Sequence, residues 1–390
     1  MKLVKMSLAA AVLLGASAFA IDNVKVSGDA KLFYNTNDSG TLSLFDKDNS
    51  YADTALRLGV TGDLLKGVSF GVTGYAISTL GLENNLVSHV WEGTGADQSV
   101  IGEAWLAGTM GKTTVKVGRM ELDTPFAFSE KWSIIPNTFD AAVLINQDLP
   151  DTTLVGAWVG KSNGSATTGA EYVVMAPSLG FSSFYQGAYA AAVVNNSFKP
   201  ATVQAWYYDV QHVANAYWLQ ADINCQLVKG LTIGAQYADI DLKNSSADSS
   251  AYAFKLGYEG IQNLKVSAAY SDTDKDGALK VSNIATTNTT SQSKLYTEAW
   301  WNYGYVGTAG AEAFNVTAEY NAGFAKVGAY YTDVSNEIAT STHEMTELTV
   351  TASKSFGPLD TTLAYVSTDA DDQNNGSQYN SVQAYLTLNF

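Results

Sequence analysis

The chain has 390 residues, with 22 Lys and Arg against 38 Asp and Glu, and a formal charge of −16. That balance excludes a nucleic-acid binder, which carries a basic face, and leans toward cations or neutral solutes as partners. Only 15% of residues are charged, against roughly 25% in a soluble domain, while Gly (33) and Tyr (22) are plentiful and Pro (6) is rare.

Met1 to Lys5 is a short basic segment, Leu8 to Phe19 an apolar, Ala-rich run, and Ala18-Phe19-Ala20 a small-residue cleavage pattern. The run is shorter than the roughly 20 residues a membrane helix needs. It predicts a Sec-type signal peptide over 1–20, cut after Ala20, and a single domain over 21–390. No later segment reaches the length of a membrane helix.

Period-2 alternation fills the rest. Val24, Val26, Gly28, Ala30, Leu32 and Tyr34 share one face, opposite Lys25, Ser27, Asp29 and Lys31. Leu56, Leu58 and Val60 oppose Asp53, Arg57 and Thr61, and Val68, Phe70 and Val72 oppose Ser69, Thr73 and Tyr75. Tyr217, Leu219, Ala221 and Ile223 oppose Trp218, Gln220, Asp222 and Asn224. Tyr252, Phe254 and Leu256 oppose Ala253, Lys255 and Gly257, and Phe314, Val316 and Ala318 oppose Asn315, Thr317 and Glu319. Alternation at this period predicts strands with one oily and one wet face. The lone Cys225 cannot form an internal disulfide, and its spacing predicts a place on the oily face. The last ten residues, Ser381 to Phe390, alternate up to a terminal aromatic. An unblunted apolar edge strand aggregates in water, but it is paired and solvated as the closing strand of a barrel in lipid.

Eight short, turn-rich connectors recur: Gly62–Gly67, Thr109–Lys112, Gln147–Asp151, Ser197–Pro200, Leu227–Gly230, Glu259–Asn263, Asn321–Gly323 and Phe356–Asp360. The connectors between them are mostly longer and rich in Ser, Thr, Asn, Asp and Gly. That asymmetry predicts an all-β protein, a transmembrane antiparallel β-barrel of about 18 strands with short periplasmic turns and long outer loops. A count of 16 is the alternative, because Leu295 to Trp301 inside the segment Asp272–Ala311 reads either as an extra strand pair or as an outward extension. Clusters such as Trp206-Tyr207-Tyr208 suit the aromatic girdles of such barrels.

The stretch Val115-Lys-Val-Gly-Arg119-Met-Glu-Leu-Asp123-Thr-Pro125-Phe126 resembles the start of the third loop in the Opr-type major outer membrane porins of epsilonproteobacteria. Asn137 to Leu154, Val203 to Val210 and Ala216 to Asp222 are similar to that family as well. The resemblance implies a homotrimer of barrels in the Gram-negative outer membrane, each with a pore narrowed by an inward-folded third loop.

On that reading the third loop, with Arg119, Glu121, Asp123, Glu130 and Lys131, is the candidate constriction, since fixed charges on such a loop sort permeant ions. Lumen-wall candidates are Lys31, Arg57, Glu103, Lys116 and Asp222, with Lys255, Glu319 and Glu347; the bland alternative is that they are merely solvated. Asp272, Asp274 and Asp276, followed by Gly277, match the opening of a calcium loop, so a structural calcium is a candidate. The twelfth position is Asn283 rather than Glu, and Asp369, Asp371 and Asp372 form a weaker acidic run. Phe390 resembles the terminal signal read by the outer-membrane assembly machinery. The three histidines are scattered, no nucleophile and base are paired, and no cofactor motif occurs, so no enzyme and no cofactor are expected. The expected function is passive diffusion of ions and small hydrophilic solutes, mildly cation-preferring, with outer-membrane lipids around the barrel. A surface adhesin and a substrate-specific channel are the alternatives.

Overall fold

The computed structural model describes residues 21–390 apart from 79–88, 91–97, 132–133, 164–180, 245–247, 287–290 and 339–340. The expected signal segment lies outside the described residues. Eighteen long strands form one antiparallel barrel. In chain order they are β1 Asp22–Asn37, β2 Ser50–Leu65, β3 Val68–Ile77, β4 Gln98–Met110, β5 Thr113–Met120 and β6 Phe139–Asn146. Next come β7 Thr152–Ser162, β8 Ser182–Asn195, β9 Ala201–Val210, β10 Ala214–Asn224, β11 Leu231–Leu242 and β12 Ser249–Ile261. The last six are β13 Leu264–Thr273, β14 Ala311–Asn321, β15 Lys326–Ile338, β16 Met345–Phe356, β17 Leu359–Ala370 and β18 Tyr379–Asn389.

Each strand pairs with its chain neighbours, and β18 closes on β1 from Asp29 opposite Asn389 to Asn37 opposite Ser381. Closure leaves no unpaired edge, which is what a barrel in lipid requires. The two main-chain bonds between Gly28 and Phe390, both 2.9 Å, complete the seam. Position 28 must be small, because a Cβ there would sit 2.4 Å from the Phe390 ring.

All eight short connectors join consecutive strands at one end of the barrel. They turn where the backbone needs a left-handed residue: Gly67 at φ 81° and Asn263 at φ 64° are two of these. A side chain at Gly67 would also meet the Thr109 carbonyl at 2.8 Å. Cys225 is the first residue of the β10–β11 turn, where its N–H donates to the Leu231 carbonyl at 2.8 Å. It therefore lies just past the strand, in the parity of the exposed Leu219 and Ile223.

The alternation sorts the two faces. Val72, Leu106, Val117, Leu219, Phe254, Val316 and Leu363 stand exposed on the outer surface, whereas Phe33, Trp206, Trp218 and Glu347 are buried inside. Tyr207, Tyr217, Tyr237, Tyr252, Tyr270 and Tyr365 are exposed toward the long-loop ends of their strands. Tyr207 and Tyr217 pair across β9 and β10 with centroids 5.2 Å apart, and the Tyr252 hydroxyl donates to Asp272 at 2.8 Å. This is the amphipathic belt expected at a membrane–water boundary.

The segment between β13 and β14 corrects the sequence reading. It is neither a strand pair nor an outward extension. It folds into the lumen, where Val281, Leu295, Ala299 and Val306 are buried. The reason is the wall beneath it. Ala192, Trp206, Trp218, Ala238 and Ile240 present an apolar inner surface that water would solvate poorly, and the loop covers it.

Candidate functional site

The described residues of the third loop (121–131 and 134–138) and of the seventh (274–286 and 291–310) pack together inside the barrel. Phe126 anchors the third loop, edge-on to Tyr208 at 5.5 Å and Trp218 at 5.6 Å. Main-chain bonds join the loops: the Ile284 N–H donates to the Phe126 carbonyl at 2.8 Å. Asn283 donates to the Phe128 carbonyl at 2.8 Å and accepts from the Phe128 N–H at 3.2 Å. Glu130 is the hub. Its carboxylate accepts from Thr286 (2.6 Å), Asn283 (2.9 Å) and the Gln292 N–H (3.1 Å). Burial pushes the Glu130 carboxyl above the usual range, and these three donors oppose that shift. Nearby, the Lys280 ammonium donates to the carbonyls of Ser291 (2.6 Å) and Tyr303 (2.8 Å). Glu298 accepts from the Ser293 N–H at 3.1 Å and from its hydroxyl. Burial pushes the Glu298 carboxyl up and the Lys280 ammonium down, and the attraction between the two charges opposes both shifts.

The seventh loop is latched to the wall by Glu347 of β16. Its carboxylate accepts from the backbone N–H groups of Trp300 (2.9 Å), Trp301 (3.1 Å) and Asn302 (2.7 Å), and from the Asn302 side chain (2.9 Å). A second latch lies on β10 and β11. Tyr296 donates to Asp222 at 2.6 Å, and Gln236 donates to the Lys294 carbonyl at 2.9 Å.

The free edge of the two loops carries charge. Lys131 pairs with Glu121 at 2.6 Å, and Lys294 pairs with Asp123 at 2.7 Å. The β1–β5 wall supplies the Asp29–Arg57 pair at 2.6 Å, Lys31, Glu103 and Lys116. Glu103 accepts from Thr73 at 3.1 Å, and the Lys116 ammonium sits 4.2 Å from the Trp105 ring centroid. Lys31 lies in the field of Asp29, Arg57, Glu121 and Lys131, and Lys116 in that of Glu103 and Glu121. The gap beside Lys31 and Lys131 has a volume of about 470 Å³ and is walled by Phe33, Trp300 and Tyr385.

Asp123 stands apart on the loop edge, paired with Lys294; of the sequence-predicted residues, Lys31 and Lys131 line this gap, and Arg57, Glu103, Lys116 and Glu121 gather behind them. Arg119 does not. It pairs across the sheet with Ala104 and shares the parity of the exposed Val115 and Val117, so it faces outward. There it binds Asp140 at 2.9 Å and stacks on Phe181 at 3.4 Å. Glu130 and Asp222 are lumenal but are used up in holding the loops. Lys280, Lys294, Tyr296 and Glu298 went unread in the sequence. Their only signal was an apolar and aromatic run, Leu295 to Trp301, inside a polar loop.

The three aspartates of the calcium expectation do not converge. Asp272 points outward from β13 to Tyr252, Asp274 caps the Asp276 N–H at 3.0 Å, and Asn283 is buried in the loop contact. Among the described residues no three His, Cys, Asp or Glu converge as a metal-holding group.

No curated protein sequence matches this chain. Solved structures do. Pseudomonas aeruginosa OpdK with vanillate superposes with TM-score 0.74 at 12% identity, covering 94% of this chain and 98% of that one. P. aeruginosa OccK8 (OprE) gives 0.70 at 16% identity, with coverages of 94% and 98%. Acinetobacter baumannii OccAB3 gives 0.71 at 13% identity, with coverages of 94% and 99%. At such identities the likeness is one of fold. The description "Gram-negative porin" matches residues 7–388, nearly the whole length. With that match over its closed barrel, the chain belongs to the Gram-negative porin family.

Proposed function

We propose that the protein is a passive diffusion channel for ions and small hydrophilic solutes across the outer membrane, weakly cation-preferring. The observation that carries this reading is the charge-edged gap between the joined third and seventh loops and the β1–β5 wall. Charges around it nearly balance: Lys31, Arg57, Lys116 and Lys131 stand against Asp29, Glu103 and Glu121, and on the loop edge Lys294 offsets Asp123. The preference comes from the long-loop mouth, where Asp38, Asp46, Asp48, Asp248, Asp274, Asp276, Glu344, Asp371 and Asp372 outnumber Lys47, Lys243 and Lys275. An acidic mouth raises the local cation concentration before the gap is reached. In planar bilayers under a KCl gradient the reversal potential should favour K⁺. The double substitution E121Q/D123N should lower that preference, and an unchanged reversal potential would remove these two carboxylates from the selectivity path.

A second reading, a substrate-specific channel, is favoured by the recess beside the gap, where Lys31 and Lys131 meet Phe33, Trp300 and Tyr385. Cationic groups beside aromatic walls suit an aromatic carboxylate, and the OpdK structure holds vanillate. Conductance that saturates and is blocked by one solute would select this reading over free diffusion.

The Opr-type epsilonproteobacterial assignment rests on the Gly118-Arg119 and Asp123-Thr124-Pro125 motif. Removal of 1–20 on export is checked by the N-terminal sequence of the mature protein. The homotrimer implied by the resemblance is checked by native mass in detergent.

A further inference from the structure

A separate recess opens at the long-loop mouth. It lies between the seventh loop, the ninth loop (371–378) and the end of β15, and encloses about 600 Å³. Trp301, Tyr303 and Tyr305 form its aromatic lining, and Asn302, Asn336, His343, Asp372 and Gln373 are among its polar lining.

Hydrogen-bond accounting shows what the recess has left to offer. The Tyr305 hydroxyl donates to Asp372. The Gln373 amide N–H groups go to Asn302 (3.2 Å) and to the Tyr305 oxygen (2.9 Å). The Asn302 amide is taken by Glu347 (2.9 Å) and Thr368 (2.8 Å), and the Asn336 amide by Thr308 (3.0 Å). These donors are committed inside the protein. The Asp372 carboxylate is not used up: its side chain is 47% exposed, and its other oxygen lies 3.6 Å from the His343 ring nitrogen, a cationic partner only when that ring is protonated. A recess that keeps a negative charge, and has committed its amide donors and the Tyr305 hydroxyl, repels anions and leaves few donors for a neutral polyol. It suits a ligand that brings its own N–H donors and a positive charge. Aromatic side chains add attraction for such a cation.

We propose that this recess captures small organic cations bearing a primary ammonium group, with Asp372 as the charged acceptor and Tyr305 holding that carboxylate in place. The inference rests on the channel reading for its place on the solute path. Trp301 lines the recess while its chain neighbour Trp300 lines the gap below, so a captured amine is one residue from the constriction.

The test uses the full-length purified protein and n-propylammonium chloride, with glucose as the neutral probe and sodium propionate as the anionic one. In planar bilayers, propylammonium added on the long-loop side should reduce the single-channel current saturably, while the other two should not. Asp372→Asn should raise the half-blocking concentration about tenfold, the loss of one charge-assisted contact. Tyr305→Phe keeps the ring, frees the carboxylate, and should fall between. Calorimetric titration of the protein in detergent reads the same site without conduction. Channels that conduct KCl but bind glucose or propionate equally well, or D372N channels blocked like the parent, would overturn the proposal. An absence of conductance together with calorimetric binding of propylammonium would overturn the channel reading and leave the recess standing.

Discussion

A buried carboxylate is tolerated only when its lone pairs are met by donors. Glu347 satisfies that condition with three consecutive backbone N–H groups and one amide. The dependence is mutual, because those N–H groups have lost water too. Glu347→Ala should therefore leave donors unmet at about 1–3 kcal/mol each, enough to release residues 300–302 from the wall. The expected result is a larger, noisier single-channel conductance and easier acrylamide quenching of Trp300 and Trp301. Glu347→Gln keeps one acceptor and should fall between; parental conductance and quenching in the alanine variant would remove Glu347 as the latch. Arg119 gives the opposite contrast. Facing outward, it should not affect ion preference, so Arg119→Ala should keep the parental reversal potential. Its loss leaves Asp140 without its partner near the lipid boundary, and thermal stability should fall. A shifted reversal potential would return Arg119 to the pore. The alternation itself assigned Arg119 to the face of Val115 and Val117. Reading it as the first residue of a loop discarded that parity.

At the scale of elements, strands and turns were legible because their determinants are local. Alternation and a left-handed residue such as Asn263 or Gly67 act over a few positions. The inward fold of the seventh loop was not legible, because it depends on a wall assembled from distant strands. A trace was present. Ala141 to Ile145 and Ala190 to Val194 are apolar on both faces, and a strand apolar on both faces is one covered on both sides. Lipid covers the outer face; something must cover the inner one. Phe126 is the main plug residue on the third loop, fully buried against Tyr208 and Trp218. Phe126→Ala should cost about 3–5 kcal/mol of loop packing. That cost falls on the loop and not on the barrel, whose ladder it does not touch. Conductance should rise and become unsteady while the barrel's melting temperature barely changes. A melting temperature that falls in step with the loss of steady current would mean that loop and barrel unfold as one unit.

For the whole molecule, closure is the decisive event, and it is decided at one seam. Seventeen of the eighteen strand pairs join chain neighbours and form locally. The β18–β1 pair must join the two ends of the folded chain, so its loop-closure cost is the largest and it gains most from specific contacts. Two features act there. The reciprocal 2.9 Å bonds between Gly28 and Phe390 fix the register, and the Phe390 ring fills the space left by the missing Gly28 side chain. Local packing and recognition by the assembly machinery make different demands on this contact. Gly28→Val displaces the ring but leaves the terminal aromatic in place; deleting Phe390 removes both. If Phe390 acts only by packing, the two variants should reduce the assembled fraction alike, measured as the heat-modifiable band in outer-membrane extracts. If it is also read during assembly, the deletion should reduce that fraction several-fold more than Gly28→Val. Either way, molecules that do close should conduct like the parent, because the seam lies on the wall and away from the joined loops. Equal assembled fractions in both variants would confine Phe390 to a packing role.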